Sequence, residues 1–235
     1  FKGKGQIYHK SIKRGVRMDI KNKKILFLGD SITEGVGVSS PENRFSDLIA
    51  INTGAIFHNY GICGARGAYR VSPSDNPRWD LNFVDRVDEM DETADIVFVF
   101  GGTNDFGHGD AGIGSFNDKN PNTFYGAVHT LFNKLITKYP TAKIVFATPL
   151  HRIEEHRELV KAGKKCSVTL IEYVNILREL AEYYSIPVLD LYKCSGLQPE
   201  VPVIAEKYMP DGLHPNDDGH KILAQLITAF LKNQF

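Results

Sequence analysis

The chain has 235 residues, of which 42% are hydrophobic and 24% charged, and its 28 basic residues are balanced by 28 acidic ones. That length and composition suit one globular domain with a sizeable core. The charge balance excludes the global positive field that draws nucleic acid, and no apolar run is long enough to span a membrane.

Charge is nonetheless uneven along the chain. Nine of the basic residues fall within residues 1–24, where Asp19 is the single acid. With Gly3, Gly5 and Gly15 interrupting it and no sustained apolar face, residues 1–23 read as a basic N-terminal arm ahead of a single domain at 24–235. Cys63, Cys166 and Cys194 are odd in number and lack paired metal-type spacing, so reduced thiols are expected, with neither a disulfide framework nor a metal site. No secretory apolar segment is present, which gives a cytoplasmic expectation.

The first strand is Ile25-Leu26-Phe27-Leu28, apolar on both faces as in the buried centre of a parallel sheet, and it ends abruptly in Gly29-Asp30-Ser31. A helix is expected from Ser39-Ser40-Pro41, with Phe45, Leu48 and Ile49 on one face and a stop at Gly54. A second strand, 55–60, runs into the glycine-rich turn Gly61-Ile62-Cys63-Gly64-Ala65-Arg66-Gly67. Residues 80–92 predict a short helix with Leu81, Val84, Val87 and Met90 inward and its carboxylates solvated.

The clearest strand is 95–100, a β-branched and aromatic run that ends in Gly101-Gly102-Thr103-Asn104-Asp105. A helix follows from about Thr123 to Tyr139, then a strand at 143–148 and a charged stretch at 151–165. A helix carrying Leu170, Val174, Leu177 and Ala181 precedes a short strand at 186–190. The last helix starts at Asn216. Strands alternating with helices in this way predict a three-layer α/β fold, a doubly wound sheet of about five parallel strands.

Four polar features then fall just beyond strands or at a helix start, where open α/β sheets place their chemistry: Ser31, Gly64, Asn104, and the pair Asp211 and His214. Taken alone, each has a plainer use, Ser31 as a helix cap and Asn104 or Asp211-Gly212 as turn residues. Together they supply a hydroxyl nucleophile, a base for its proton, a carboxylate to orient that base, and donors for an oxyanion. Ser31 is the candidate nucleophile, His214 the base and Asp211 its partner. The backbone N–H groups of Ser31 and Gly64 and the side-chain amide of Asn104 form the candidate oxyanion hole.

Gly29-Asp30-Ser31-Ile32-Thr33, the glycine of Asn59-Tyr60-Gly61-Ile62-Cys63-Gly64, Gly102-Thr103-Asn104-Asp105 and Asp211-Gly212-Leu213-His214-Pro215-Asn216 resemble, in order, the sequence blocks of the SGNH hydrolases, also called GDSL esterases and lipases. The resemblance spans roughly residues 24–232. It implies a flavodoxin-like fold, a serine esterase without a cofactor, and the roles just given to Ser31, Gly64, Asn104, Asp211 and His214. Arg66 departs from the pattern, since family members often carry a small hydroxyl residue there.

Phe106, His108 and His151, in loops at the same sheet edge, are candidate substrate contacts together with Arg66. The loops 106–121 and 151–165 also offer Phe116, Arg152 and Arg157, and Arg70, Arg78 and Trp79 follow the second strand. These groups favour a short acyl ester of a carbohydrate or other polar small molecule over a long-chain lipid. An acyltransferase, a longer-chain acylhydrolase, or a binding protein that keeps the fold would share most of these features. A dinucleotide site is disfavoured, because Gly35-Val36-Gly37 lacks a third glycine and the second strand ends in His58-Asn59-Tyr60 without an acid for a ribose.

Overall fold

A computed structural model of the protein describes residues 19–161 and 163–234, so most of the expected basic arm lies outside the described residues. The described chain joins the core at Ile20, which is fully buried, and Lys23 pairs with Asp95 at 3.0 Å. Strand β1, Lys24–Gly29, follows, and one helical turn, α1, Ser31–Glu34, starts immediately after it.

The expected helix after Ser39 divides into a 3-10 turn at Pro41–Asn43 and α2, Phe45–Thr53, which stops at Gly54. Strand β2 is Ile56–Gly61. The helix predicted over 80–92 is also divided: α3 covers only Phe83–Arg86 and a 3-10 turn takes over at Val87–Glu89. Asn82 explains the late start, because its side chain caps the turn by accepting the Asp85 N–H and leaves Leu81 extended before it. Val84, Val87 and Met90 are buried as the periodicity requires.

Strand β3, Ile96–Phe100, leads into α4, Thr103–Gly107. Helix α5, Phe124–Lys138, is capped by Thr123, and β4 is Lys143–Ala147. The charged stretch contains a hairpin that its composition does not announce, β5, Glu158–Lys161, antiparallel to β6, Lys164–Ser167. Helix α6, Leu170–Tyr183, begins with a capping box between Thr169 and Glu172. Strand β7 is reduced to Val188–Leu189, since Pro187 has no N–H to give the ladder. Helices α7, Leu191–Cys194, α8, Pro202–Tyr208, and α9, Asp217–Gln234, complete the chain.

The main sheet is wholly parallel with order β2-β1-β3-β4-β7, so β1, which leads into Ser31, is flanked on both sides. Alternation along β1 and β3 divides the core in two. Leu26, Leu28, Val97 and Val99 face α3, α5 and α6, while Ile25, Phe27, Ile96 and Phe98 face α2 and α9. Burying each such side chain contributes roughly 1.5–3 kcal/mol, which is why both faces must be covered and the fold has three layers. Among the described residues no helix is long and apolar enough to cross a membrane.

Candidate active site

The turn from β1 into α1 is held from three directions. Asp30 caps α1 by accepting the Ile32 N–H at 3.0 Å. The Asn59 amide donates to the Thr33 carbonyl at 2.7 Å, tying the far end of the turn to β2. Arg86, almost wholly buried, donates to the Gly29 carbonyl at 3.2 Å and to the Tyr60 carbonyl. Ser31 therefore stands at the first position of α1, where its N–H has no partner inside the helix and the helix dipole favours negative charge.

His214 approaches Ser31 from the loop before α9, with Nε2 at 2.9 Å from the Ser31 Oγ. Its Nδ1 lies 2.6 Å from Asp211 Oδ2, and Asp211 Oδ1 accepts the Leu213 and His214 N–H groups at 2.9 and 2.7 Å. Burial raises the Asp211 carboxyl, but these hydrogen bonds and the His214 ring outweigh it and hold the group below the usual carboxylate range. Gly37 makes the approach possible: at φ +101 its Cα passes so near Pro215 and His214 that a Cβ would lie 2.5 Å from the Pro215 carbonyl oxygen. The Gly35-Val36-Gly37 segment thus has a packing role.

Asn104, in α4, donates one amide hydrogen to the Ala65 carbonyl at 2.9 Å, which fixes the side chain beside the Gly64 turn. Gly64 has φ +83, and a Cβ there would lie 2.3 Å from Cδ1 of Trp79, so glycine is required by both backbone and neighbour. Ser31, Gly64, Asn104 and His214 all line one cavity of about 580 Å³. Replacing Asn104 with alanine is expected to lower kcat by about 10²–10³-fold with little change in KM, the cost of one oxyanion donor. Steady-state kinetics on p-nitrophenyl acetate would show it, and a loss under threefold would remove Asn104 from the hole.

Of the four expected substrate contacts, only His108 lines this cavity. Arg66 is 1% exposed, and none of its three guanidinium nitrogens finds a hydrogen-bond acceptor among the described residues; burial pushes it down while nearby Asp105 pulls it up. Phe106 is fully buried, edge-on to Tyr173 and beneath the guanidinium groups of Arg152 and Arg157. His151 stacks on Tyr192 at 3.8 Å and meets Glu155 at 3.0 Å, away from the cavity. Phe116 packs against His129 and Tyr183, and Arg78 pairs with Glu34. Identity as a polar or aromatic loop residue did not reveal which of these turn inward.

The sequence reading passed over other walls of the cavity, namely Cys63, Pro73, Ser74, Asp75 and Leu213. The run Ser72-Pro73-Ser74-Asp75-Asn76-Pro77 was the available signal, a turn-rich segment directly after the Gly64 block. Ile153 was also missed: its N–H donates to the Gly212 carbonyl at 2.9 Å, bracing the Asp211 loop from the strand β4 side.

A family model described as the GDSL-like lipase/acylhydrolase family matches residues 27–222. The chain belongs to that family. Membership places it among hydrolases. One solved structure is 32% identical, with a TM-score of 0.79 over 91% of this chain and 98% of its own. A protein from Lactobacillus plantarum is 29% identical, with a TM-score of 0.78 over 92% and 99%. A lipase/acylhydrolase from Enterococcus faecalis shares the fold at 22% identity and a TM-score of 0.61, covering 90% of this chain and 96% of its own. No curated protein matches the chain.

Two buried groups in this GDSL-like hydrolase load the pH dependence of stability in opposite senses. Burial pushes the Asp30 carboxyl up to about 7, with Asp105 adding to the rise and the Ile32 N–H and Arg152 opposing it. Its contribution is complete below the unfolded value of 3.8 and is lost as pH rises through about 7. His220, fully buried and stacked on Phe45, accepts the Phe45 N–H at Nδ1, and burial lowers it to about 4. Its contribution is present above 6.5 and is lost as pH falls towards 4. At 1.36 kcal/mol for each pH unit the two nearly cancel. Asp30→Asn keeps the cap and removes one of them, so between pH 7 and 4 this variant is expected to lose about 3 kcal/mol more than wild type in urea unfolding. Equal slopes would mean that Asp30 ionises as an ordinary carboxylate.

Proposed function

We propose that the protein is a serine esterase that cleaves short acyl esters of polar alcohols, through an acyl-enzyme formed on Ser31. The observation that carries this reading is the position of His214, whose two ring nitrogens reach Ser31 Oγ at 2.9 Å and Asp211 Oδ2 at 2.6 Å. An imidazole that donates from Nδ1 to a carboxylate has Nε2 free to accept the serine proton, which is the tautomer a general base needs.

In the first half-reaction Ser31 Oγ attacks the ester carbonyl and its proton passes to His214 Nε2. Asp211 stabilises the imidazolium formed. The carbonyl oxygen becomes an oxyanion facing the Ser31 and Gly64 N–H groups and the Asn104 amide, and His214 then protonates the departing alcohol. In the second half water attacks the acyl-Ser31 ester, with His214 again taking a proton and returning it to Ser31. The chain's own groups supply every proton transfer in this sequence, and the whole apparatus falls in one domain beginning near residue 24.

One polar group in a cavity wall that also presents Pro73, Trp79 and Leu213 supports a small, polar ester over a lipid. Asp75 lines it with no hydrogen bond or ion pair to any described residue, and burying an alkyl chain against that carboxylate would strip its water without replacing the hydrogen bonds. Reaction with a fluorophosphonate followed by peptide mapping tests the nucleophile: label on Ser31, absent in Ser31→Ala, is expected, and label on another serine would overturn it. Rates on p-nitrophenyl esters test the acyl length, with acetate expected to exceed octanoate.

A further inference from the structure

One wall of the cavity is built by residues 70–80, and its polar groups are nearly all engaged in building it. Asp110 accepts the Val71 and Ser72 N–H groups at 3.0 and 2.9 Å, and Asp80 accepts the Ser74 N–H at 3.0 Å. Arg70 donates to the Ser72 carbonyl at 2.6 Å and the His108 carbonyl at 3.3 Å, and stands 3.5 Å from Asp80 and 3.8 Å from Asp110. A tight turn then carries Trp79, whose N–H donates to the Asn76 carbonyl at 2.8 Å, while the Ser74 hydroxyl donates to the same carbonyl at 2.6 Å. This frame fixes the wall against the α4 side of the site.

Two side chains on it are not used in that construction. Trp79 rests its indole on Gly64 yet keeps 44% of its surface exposed, with the His108 ring 6.2 Å away and tilted by 43°. Asp75, at the tip of the turn, lines the cavity, and its carboxylate makes no hydrogen bond or ion pair to any described residue. An exposed indole face offers a surface that the C–H groups of a ligand can cover, and a carboxylate lining the same cavity accepts hydroxyl hydrogens.

We propose that Trp79 and Asp75 form a subsite for the alcohol half of the ester, and that this alcohol is a sugar, its ring lying on the indole and its hydroxyls donating to Asp75. The inference rests on the short-acyl esterase reading: with a small acyl group at the oxyanion hole, the rest of the cavity of about 580 Å³ is left to the alcohol. A pyranose presents axial and ring C–H groups on one face and hydroxyls at its edge, the combination these two residues match. A long alkyl group would cover the indole but strand Asp75. A cationic alcohol would suit Asp75 but has no hydroxyl-bearing ring to lie on the indole, and acetylcholine in the test separates the two.

The test compares kcat/KM for the monoacetates of methyl glucopyranoside and methyl xylopyranoside with that for ethyl acetate, in wild type, Trp79→Ala and Asp75→Ala. In each variant the ratio of glycoside to ethyl acetate turnover is expected to fall at least tenfold for one of the two sugars, through KM. Ratios within twofold of wild type for both sugars would overturn the subsite, even if both rates drop, because Trp79 would then merely shore up Gly64. So would a Trp79→Ala variant that gains on p-nitrophenyl octanoate while keeping its glycoside ratio, or an Asp75→Ala variant that loses only acetylcholine turnover. Failure of the underlying reading is distinguishable: wild type would then hydrolyse none of these esters, or Ser31→Ala would hydrolyse them as well as wild type.

Discussion

Ser31→Ala is expected to lower kcat for ester hydrolysis by about 10⁶-fold, as loss of the nucleophile does in serine hydrolases whose three polar groups act as a unit. The variant keeps its fold, because the turn is held by Asp30, Asn59 and Arg86 and not by the Ser31 hydroxyl. The hydroxyl's described partner is His214 Nε2, whose other nitrogen remains on Asp211. Circular dichroism should therefore be unchanged while turnover of p-nitrophenyl acetate vanishes. Residual activity above about a hundredth of wild type would mean that another group attacks the ester, or that water attacks directly with His214 as base.

Asp211→Asn should cost about 10²–10⁴-fold in kcat, and the hydrogen-bond geometry says why. Asparagine keeps an oxygen at the Oδ1 position, so it still accepts the Leu213 and His214 N–H groups and the loop stays closed. At the other position an N–H₂ group replaces Oδ2, 2.6 Å from His214 Nδ1. A donor there makes Nδ1 an acceptor and moves the ring proton to Nε2, which then cannot take the proton of Ser31. The lower part of that range is expected, because the Asp211 side chain is 53% exposed and water can restore some of the correct tautomer. Loss in kcat with KM preserved identifies the tautomer effect. Turnover within threefold of wild type would remove Asp211 from the proton path.

Much of the frame was legible because the parallel sheet forces it into the sequence. Ile25–Leu28 and Ile96–Phe100 are covered on both faces, so they read as unbroken apolar runs, and Ser31 and Asn104 were found by standing just past their ends. The family match over residues 27–222 and the five-stranded parallel sheet agree with the SGNH resemblance that those blocks carry. Less legible was anything decided by side-chain direction. Phe106 and Arg66 lie within two residues of the candidate oxyanion groups Asn104 and Gly64, yet both turn into the interior, Phe106 against α6 and Arg66 towards Asp105. The hairpin at 158–167 lies in a charged, nonalternating stretch, where pairing with a neighbouring strand gives no periodicity to read. The helix expected over 80–92 shows the same limit: Val84, Val87 and Met90 turn inward, but Leu81 is only partly buried and falls outside the helix, and the Asn82 cap that shortens it acts through one local hydrogen bond.

The link between His214 and Ser31 joins residues 183 positions apart, and α9 is fastened to the first third of the chain by Asp217 on Ser39 and by His220 on the Phe45 N–H. The candidate base and the candidate nucleophile thus reach each other only when the segment leading into α9 has docked on the segment from β1 to α2. All five strands of the main sheet precede residue 214, so a nascent chain that stops short of it carries the whole sheet in its sequence but lacks the candidate base. Ester turnover would then serve as a readout of closure by α9, and a ribosome-bound series of increasing length should switch on abruptly once α9 has cleared the exit tunnel.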